Sequence, residues 1–222
     1  MMFLNKNKPK IFCISFQRTG TTSVGHFFKD FGYKVAGYDS KRSVEWSTKR
    51  FLGDLDSIFL SKDFKNNQVF EDNPWWEEDF YKILYHKFSD AKFILFTRDS
   101  DKWFDSMINH SKGKTLGNTF RHSKIYKREE EYYNSFSDKN YYKSIKEIDN
   151  LLEINNTHRE HYKAIYNLRN KEVIDFFNFY NPNSLFVGQL EDVNKWKKLG
   201  AFFNIQVPDN YSIHANKSNK LF

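Results

Sequence analysis

The stretch Lys10–Phe31, KIFCISFQRTGTTSVGHFFKDF, constrains the fold more than any other. Ile11 to Phe16 is an unbroken apolar run, which predicts a strand. The polar turn Gln17-Arg18-Thr19-Gly20-Thr21-Thr22-Ser23 follows. After it Val24, Phe27, Phe28 and Phe31 recur at helical spacing. A strand, a hydroxyl-rich turn and a helix together make an anion cradle. The N–H groups of the first helical turn face the turn, and the helix dipole favours negative charge there. Arg18 adds a full positive charge, Thr21, Thr22 and Ser23 add donors, and Gly20 lets a ligand approach the backbone closely. The plainer reading is that the hydroxyls simply cap a helix, as Ser and Thr do anywhere. A Walker A loop is not present: aligned on Gly20, Ser15 stands where the first Gly belongs and Thr21 where the Lys belongs.

The remaining chain alternates in the same way. Gly32 closes the first helix and Tyr33 to Gly37 predicts a second strand. Ser43 to Ser61 predicts a helix, Gln68 to Phe70 a short strand, and Trp75 to Phe88 a helix with Phe80, Ile83, Leu84 and Phe88 as its apolar stripe. AKFILFT, Ala91 to Thr97, has the continuous apolar character of a central parallel strand covered on both faces. Ser100 to Ser111 predicts a helix. From Thr119 to about Tyr180 the chain is charged, aromatic and poor in Gly and Pro, which predicts two or three helices, the last from about Asn156 to Phe179. Ser184 to Val187, Asn194 to Phe203 and an irregular tail complete it. Strands alternating with helices predict an α/β fold, three layers α/β/α around a central parallel sheet. With no repeat or low-complexity linker, residues 1–222 read as a single domain carrying a helical insertion or lid at about 119–180.

Composition narrows the function classes. The 222 residues include 24 Phe and 13 Tyr, enough for a sizeable core. The net charge of +7 suits an anionic ligand, but Lys and Arg are spread along the chain rather than gathered, which argues against nucleic acid. The one cysteine, Cys13, falls inside the first strand and reads as a small buried residue of a reducing compartment. No stretch reaches the ~18 apolar residues of a membrane span, and the N-terminus lacks the apolar core of a signal peptide. A cytoplasmic enzyme is the expectation.

Ligands of such sheets sit at the carboxyl ends of the strands. Three charged groups fall there: Arg18, the pair Glu71-Asp72, and Arg98. Arg98-Asp99-Ser100, with Ser106 eight residues beyond Arg98, resembles the 3′-phosphate motif of sulfotransferases. The Gln17–Ser23 turn resembles that family's 5′-phosphosulfate loop. The closing segment NKWKKLGAFFNIQVPDNYSIHANKS resembles that of one sulfotransferase branch. The resemblance implies a P-loop NTPase-like sulfotransferase fold. It also implies transfer of a sulfuryl group from 3′-phosphoadenosine-5′-phosphosulfate to a hydroxyl or amine, leaving adenosine 3′,5′-bisphosphate. It implies that Gln17, Arg18, Thr19, Gly20, Thr21, Thr22 and Ser23 hold the 5′ end, Arg18 standing where the family usually has Lys. Arg98 and Ser106 would hold the 3′-phosphate. No match to the family's Arg-Lys-Gly segment is present; Lys217, Arg121 and Lys124 are the candidate substitutes. The acceptor would be a small molecule or carbohydrate, and no metal is expected.

An acceptor hydroxyl needs a base. Asp72 is the first candidate, just past a strand and before Pro74, with capping of the following helix as its alternative role. His26, one turn beyond the loop, is the second. The remaining histidines show no metal-ligand spacing. Two other readings stay open at this point: a nucleotide kinase, disfavoured by the missing Walker lysine, and a non-catalytic nucleotide-binding module.

Overall fold

The computed structural model describes residues 9–110, 120–135 and 152–213. Lys217 and the tail around it lie outside the described residues. Among those described, β1 (Ile11–Cys13), β2 (Val35–Ala36), β3 (Val69–Phe70), β4 (Lys92–Thr97) and β5 (Leu185–Gln189) pair in the order β2-β3-β1-β4-β5. Every pairing is parallel.

Alternation along these strands divides the core in two. Phe12, Phe70, Phe93, Leu95 and Leu185 face one side, where they meet Trp46, Trp75, Phe80, Leu84, Val173 and Phe177. Ile11, Cys13, Val69, Ile94, Phe96 and Phe186 face the other, against Val24, Phe27, Phe28, Trp196 and Leu199. Helices α1 (Thr21–Asp30) and α10 (Lys195–Phe202) therefore cover one face. The opposite face is covered by α2 (Ser40–Phe51), α3 (Leu55–Phe59), α4 (Lys62–Asn66), α5 (Phe80–Lys87) and α9 (Arg159–Tyr180). This is the three-layer α/β arrangement that the apolar runs predict. A third apolar cluster joins the start of the first turn to α6 (Ser100–Asn109), α7 (Phe120–Ile125) and α9 through Phe16, Trp103, Tyr126 and Tyr166. Beyond it lies α8 (Glu129–Ser135).

Three elements differ from expectation. The predicted helix Ser43–Ser61 is broken, because Gly53 takes φ +78° and Asp54 starts α3 by accepting from Ser57 N at 3.3 Å. The predicted helix from Trp75 begins only at Phe80: Trp75 and Trp76 are fully buried within a turn, so packing overrides their helical spacing. And α9, expected within a peripheral insertion, is a core element, since its Val173 and Phe177 pack beneath β4. No helix among the described residues is long and apolar enough to cross a membrane.

The connection after β1 leaves toward β2, and the one after β4 leaves toward β5 on the other side. Neighbouring strands whose connections part in this way open a crevice at their carboxyl ends. The turn after β1 and Arg98 after β4 both fall there.

Candidate active site

The turn is held from below by side chains with little freedom. Ser15, at the position of a Walker glycine, stitches β1 to β4: its hydroxyl accepts from Phe96 N at 2.7 Å and contacts Ile94 O at 3.3 Å. Phe16 is wedged between Trp76, Trp103 and Tyr166, with ring centroids 5.5–5.7 Å away. Gln17 is fixed at both ends. Its carbonyl accepts from Trp103 Nε1 at 3.0 Å and its amide donates to Tyr126 Oη at 2.7 Å. Thr19 is fully buried and its hydroxyl donates back to Phe16 O. The side chains of Gln17 and Thr19 thus build the turn and do not line the crevice. Arg18 itself takes φ +67° and Gly20, the N-cap of α1, φ +85°. A Cβ on Gly20 would sit 2.7 Å from Leu190 Cδ1.

The crevice is a cleft of about 380 Å³, lined by Arg18, Gly20, Thr21, Thr22 and Ser23 on one side and by Arg98, Lys102 and Ser106 on the other. That volume lies within the range of small-molecule sites. The two halves touch: Arg18 Nε donates to Ser106 Oγ at 3.1 Å. Arg98 is anchored by Tyr166, which accepts from Arg98 N at 2.8 Å and donates to Arg98 O at 3.2 Å. Its guanidinium pairs with Glu191 at 3.0 Å at the edge of β5. Lys195 and Trp196, at the start of α10, complete the wall.

The electrostatics are one-sided. Arg18, Arg98, Lys102 and Lys195 line the cleft against one carboxylate, Asp105, which is itself paired with Arg159 at 2.5 Å. Burial, and then the positive charge of Arg98, push the Arg18 pKa down. Two guanidinium groups sharing one cleft repel each other until an anion lies between them. The uncapped start of a ten-residue helix, with no acidic residue in its first turn, adds its dipole to the same space. The residues present therefore fit a ligand with negative charge at two separated points. Lys102 and Lys195 are not singled out by any motif, although Lys102 and Ser106 lie four residues apart on one face of α6.

Asp72 lies elsewhere, among the residues at the root of the turn. β3 ends at Phe70, which pairs with Phe12, and Glu71 and Asp72 follow it directly. Asp72 takes φ +71°, and one of its carboxylate oxygens accepts from Asn73 N at 2.7 Å. Burial raises its pKa. Asp72 does not line the cleft, and neither does His26, which is exposed on α1. Glu71 turns under α1, where its Oε1 accepts from Tyr38 N at 3.1 Å.

Residues 10–221 match the sulfotransferase domain family, and the chain belongs to that family. Sulfotransfer is the activity that membership carries. No curated protein matches the chain. Among solved structures, the crystal structure of a sulfotransferase from Alicyclobacillus acidocaldarius aligns with a TM-score of 0.48 at 13% identity. That alignment covers 93% of this chain and 87% of the other.

Proposed function

We propose that the cleft binds 3′-phosphoadenosine-5′-phosphosulfate and that the enzyme moves its sulfuryl group to a hydroxyl or amine of a small-molecule or carbohydrate acceptor. The observation that carries this reading is that Arg18 and Arg98, distant in sequence, line one cleft together with the start of α1. Gly20, Thr21, Thr22 and Ser23 would hold the 5′ end, and Arg98, Ser106 and Lys102 the 3′-phosphate. The donor, when bound, supplies a sulfuryl group joined to phosphate as a good leaving group.

The chain's own residues supply position and charge. Arg18, fixed by Ser106, stabilises negative charge as it develops over the turn. In-line transfer needs the acceptor opposite the leaving phosphate. A base outside the donor cleft, on the β3 side of the turn, suits that requirement. Asp72 takes this role, and its raised pKa makes it a better proton acceptor once ionised. His26 has no part in this reading, because it is exposed and outside the cleft.

The test is calorimetric titration of adenosine 3′,5′-bisphosphate against ATP, GTP and NAD, followed by thermal unfolding. A ligand at ~100 times its dissociation constant adds roughly 2.7 kcal/mol of stability. Arg18→Ala and Arg98→Ala should each weaken the bisphosphate at least tenfold; unchanged affinity in both variants would remove the site. Asp72→Asn should lower turnover about a hundredfold or more while leaving bisphosphate affinity nearly intact. Full turnover in that variant would assign the base elsewhere, and magnesium-dependent ATP turnover would favour a kinase.

A further inference from the structure

Arg121, Arg128 and Arg169 are all nearly sealed from solvent, at 7%, 5% and 7% exposure. Burying a guanidinium is costly unless its N–H groups are satisfied. Arg169 donates to Ile14 O and Trp76 O. Arg128 donates to Glu131, Glu153 O and Tyr162 Oη. Arg121 is different: among the described residues its Nε and Nη1 are buried with no hydrogen-bond partner. Its Nε forms an ion pair with Glu77 Oε1 at 3.5 Å that is not also a hydrogen bond.

Arg121 lines a cavity of about 240 Å³ together with Arg50, Lys124, Glu77 and Glu78. Arg50 repeats the anomaly, since its Nε is buried and unpartnered. Three cations face two carboxylates there, and Glu78 already has Lys127 at 3.7 Å. Burial pushes the Glu77 carboxyl up to about 7 against the pull of Arg121 and Arg50. The volume falls below that of most whole-ligand sites and suits one small group. Two oxygens of one oxoanion are what a guanidinium fork grips with parallel bonds.

Ile125, which lines the cavity, belongs to the same apolar cluster as Phe16 at the root of the turn. Tyr126, just past the end of α7, takes the hydrogen bond from Gln17. Arg121, on α7, precedes it by five residues. Glu77 follows Asp72 by five residues.

We propose that this cavity is an acceptor subsite that takes a small oxoanion group, a carboxylate or sulfate carried by the molecule to be sulfated. The assignment rests on reading the neighbouring cleft as the donor site. The test uses protein saturated with adenosine 3′,5′-bisphosphate, so that the donor cleft is filled. 4-Hydroxybenzoate, its neutral analogue 4-hydroxybenzamide and inorganic sulfate are then titrated by ligand-observed NMR. The acid should bind at least tenfold tighter than the amide. That preference should vanish in Arg121→Gln and shrink several-fold in Lys124→Ala. Equal binding of acid and amide by the wild type would overturn the proposal, as would a preference untouched by either variant. Sulfate binding that needs Arg121, without any preference for the acid, would also overturn it by leaving a site for a free ion. If Arg121→Gln does not fold, the half-buried Arg50→Gln and exposed Lys124→Ala decide between these outcomes. Failure of the donor reading shows separately, as absence of bisphosphate binding.

Discussion

Glu71 occupies a chamber that two glycines leave open. A Cβ on Gly37 would stand 2.7 Å from its Oε1, and one on Gly25 would stand 3.1 Å away. One oxygen accepts from Tyr38 N, and the other is buried with no partner among the described residues. Burial, with Asp72 adjacent, lifts its carboxyl from 4.5 to about 7, despite Lys29 and Arg42 nearby. The folded state therefore holds this proton across that interval while the unfolded state has released it. Stability contributed at this residue is intact below pH 4.5, falls as pH rises, and is fully lost above about 7. The loss is on the order of 3 kcal/mol. Glu77, sealed in the same way, acts with the same sign. His122, kept neutral by burial with a pKa of about 3, acts with the opposite sign up to 6.5. Glu71→Gln isolates one share. Its stability relative to wild type should improve by about 2–3 kcal/mol between pH 5 and pH 8 in urea unfolding. A difference that stays constant with pH would mean that Glu71 ionises freely in the fold.

At the scale of elements, α9 joins the two ends of the site. Tyr166 clamps the backbone of Arg98, and one turn later Arg169 donates to Ile14 O at 2.7 Å and to Trp76 O at 3.1 Å. Its guanidinium also lies over Phe16, 5.2 Å from the ring centroid. A lysine keeps the charge but cannot bridge two carbonyls with a fork. Arg169→Lys should therefore cost about 1–3 kcal/mol, because one buried carbonyl loses its partner. Amide exchange from Phe16 to Gly20 should quicken; unchanged exchange there would show that the turn does not depend on α9. This role was not legible in the sequence. The strand-end groups were, because Arg18 and Arg98 come within two residues of apolar runs whose pairing sets their positions. The non-helical Trp75-Trp76 was not, since it depends on what the indoles pack against across the core. Gln17 was legible as part of the turn, but its hydrogen bond runs to Tyr126, which only the folded chain brings near. Arg121 reads as one more basic residue until its burial is known.

The whole molecule carries a net charge of +7, and the cleft concentrates part of it in Arg18, Arg98, Lys102 and Lys195. Adenosine 3′,5′-bisphosphate brings about −3 to −4 across its two phosphates. Two distinct effects follow, and salt separates them. Steering of the anion acts over distances longer than the Debye length, about 10 Å at 0.1 M salt, and is screened. Contacts inside a partly buried cleft are screened much less. Association should therefore slow about tenfold between 20 and 500 mM NaCl in stopped-flow measurements, while dissociation changes by less than about threefold. The charge responsible is identified by two substitutions of equal size. Lys102→Glu reverses a charge on the cleft wall, and Lys171→Glu reverses an exposed one on α9 that is paired with Asp175. If low-dielectric walls focus the field, only Lys102→Glu slows association and flattens its salt dependence. If net charge alone attracts the ligand, both variants slow it equally, because each lowers the total by two. Equal slowing would reduce the basic cleft to a local accident of a lysine-rich surface.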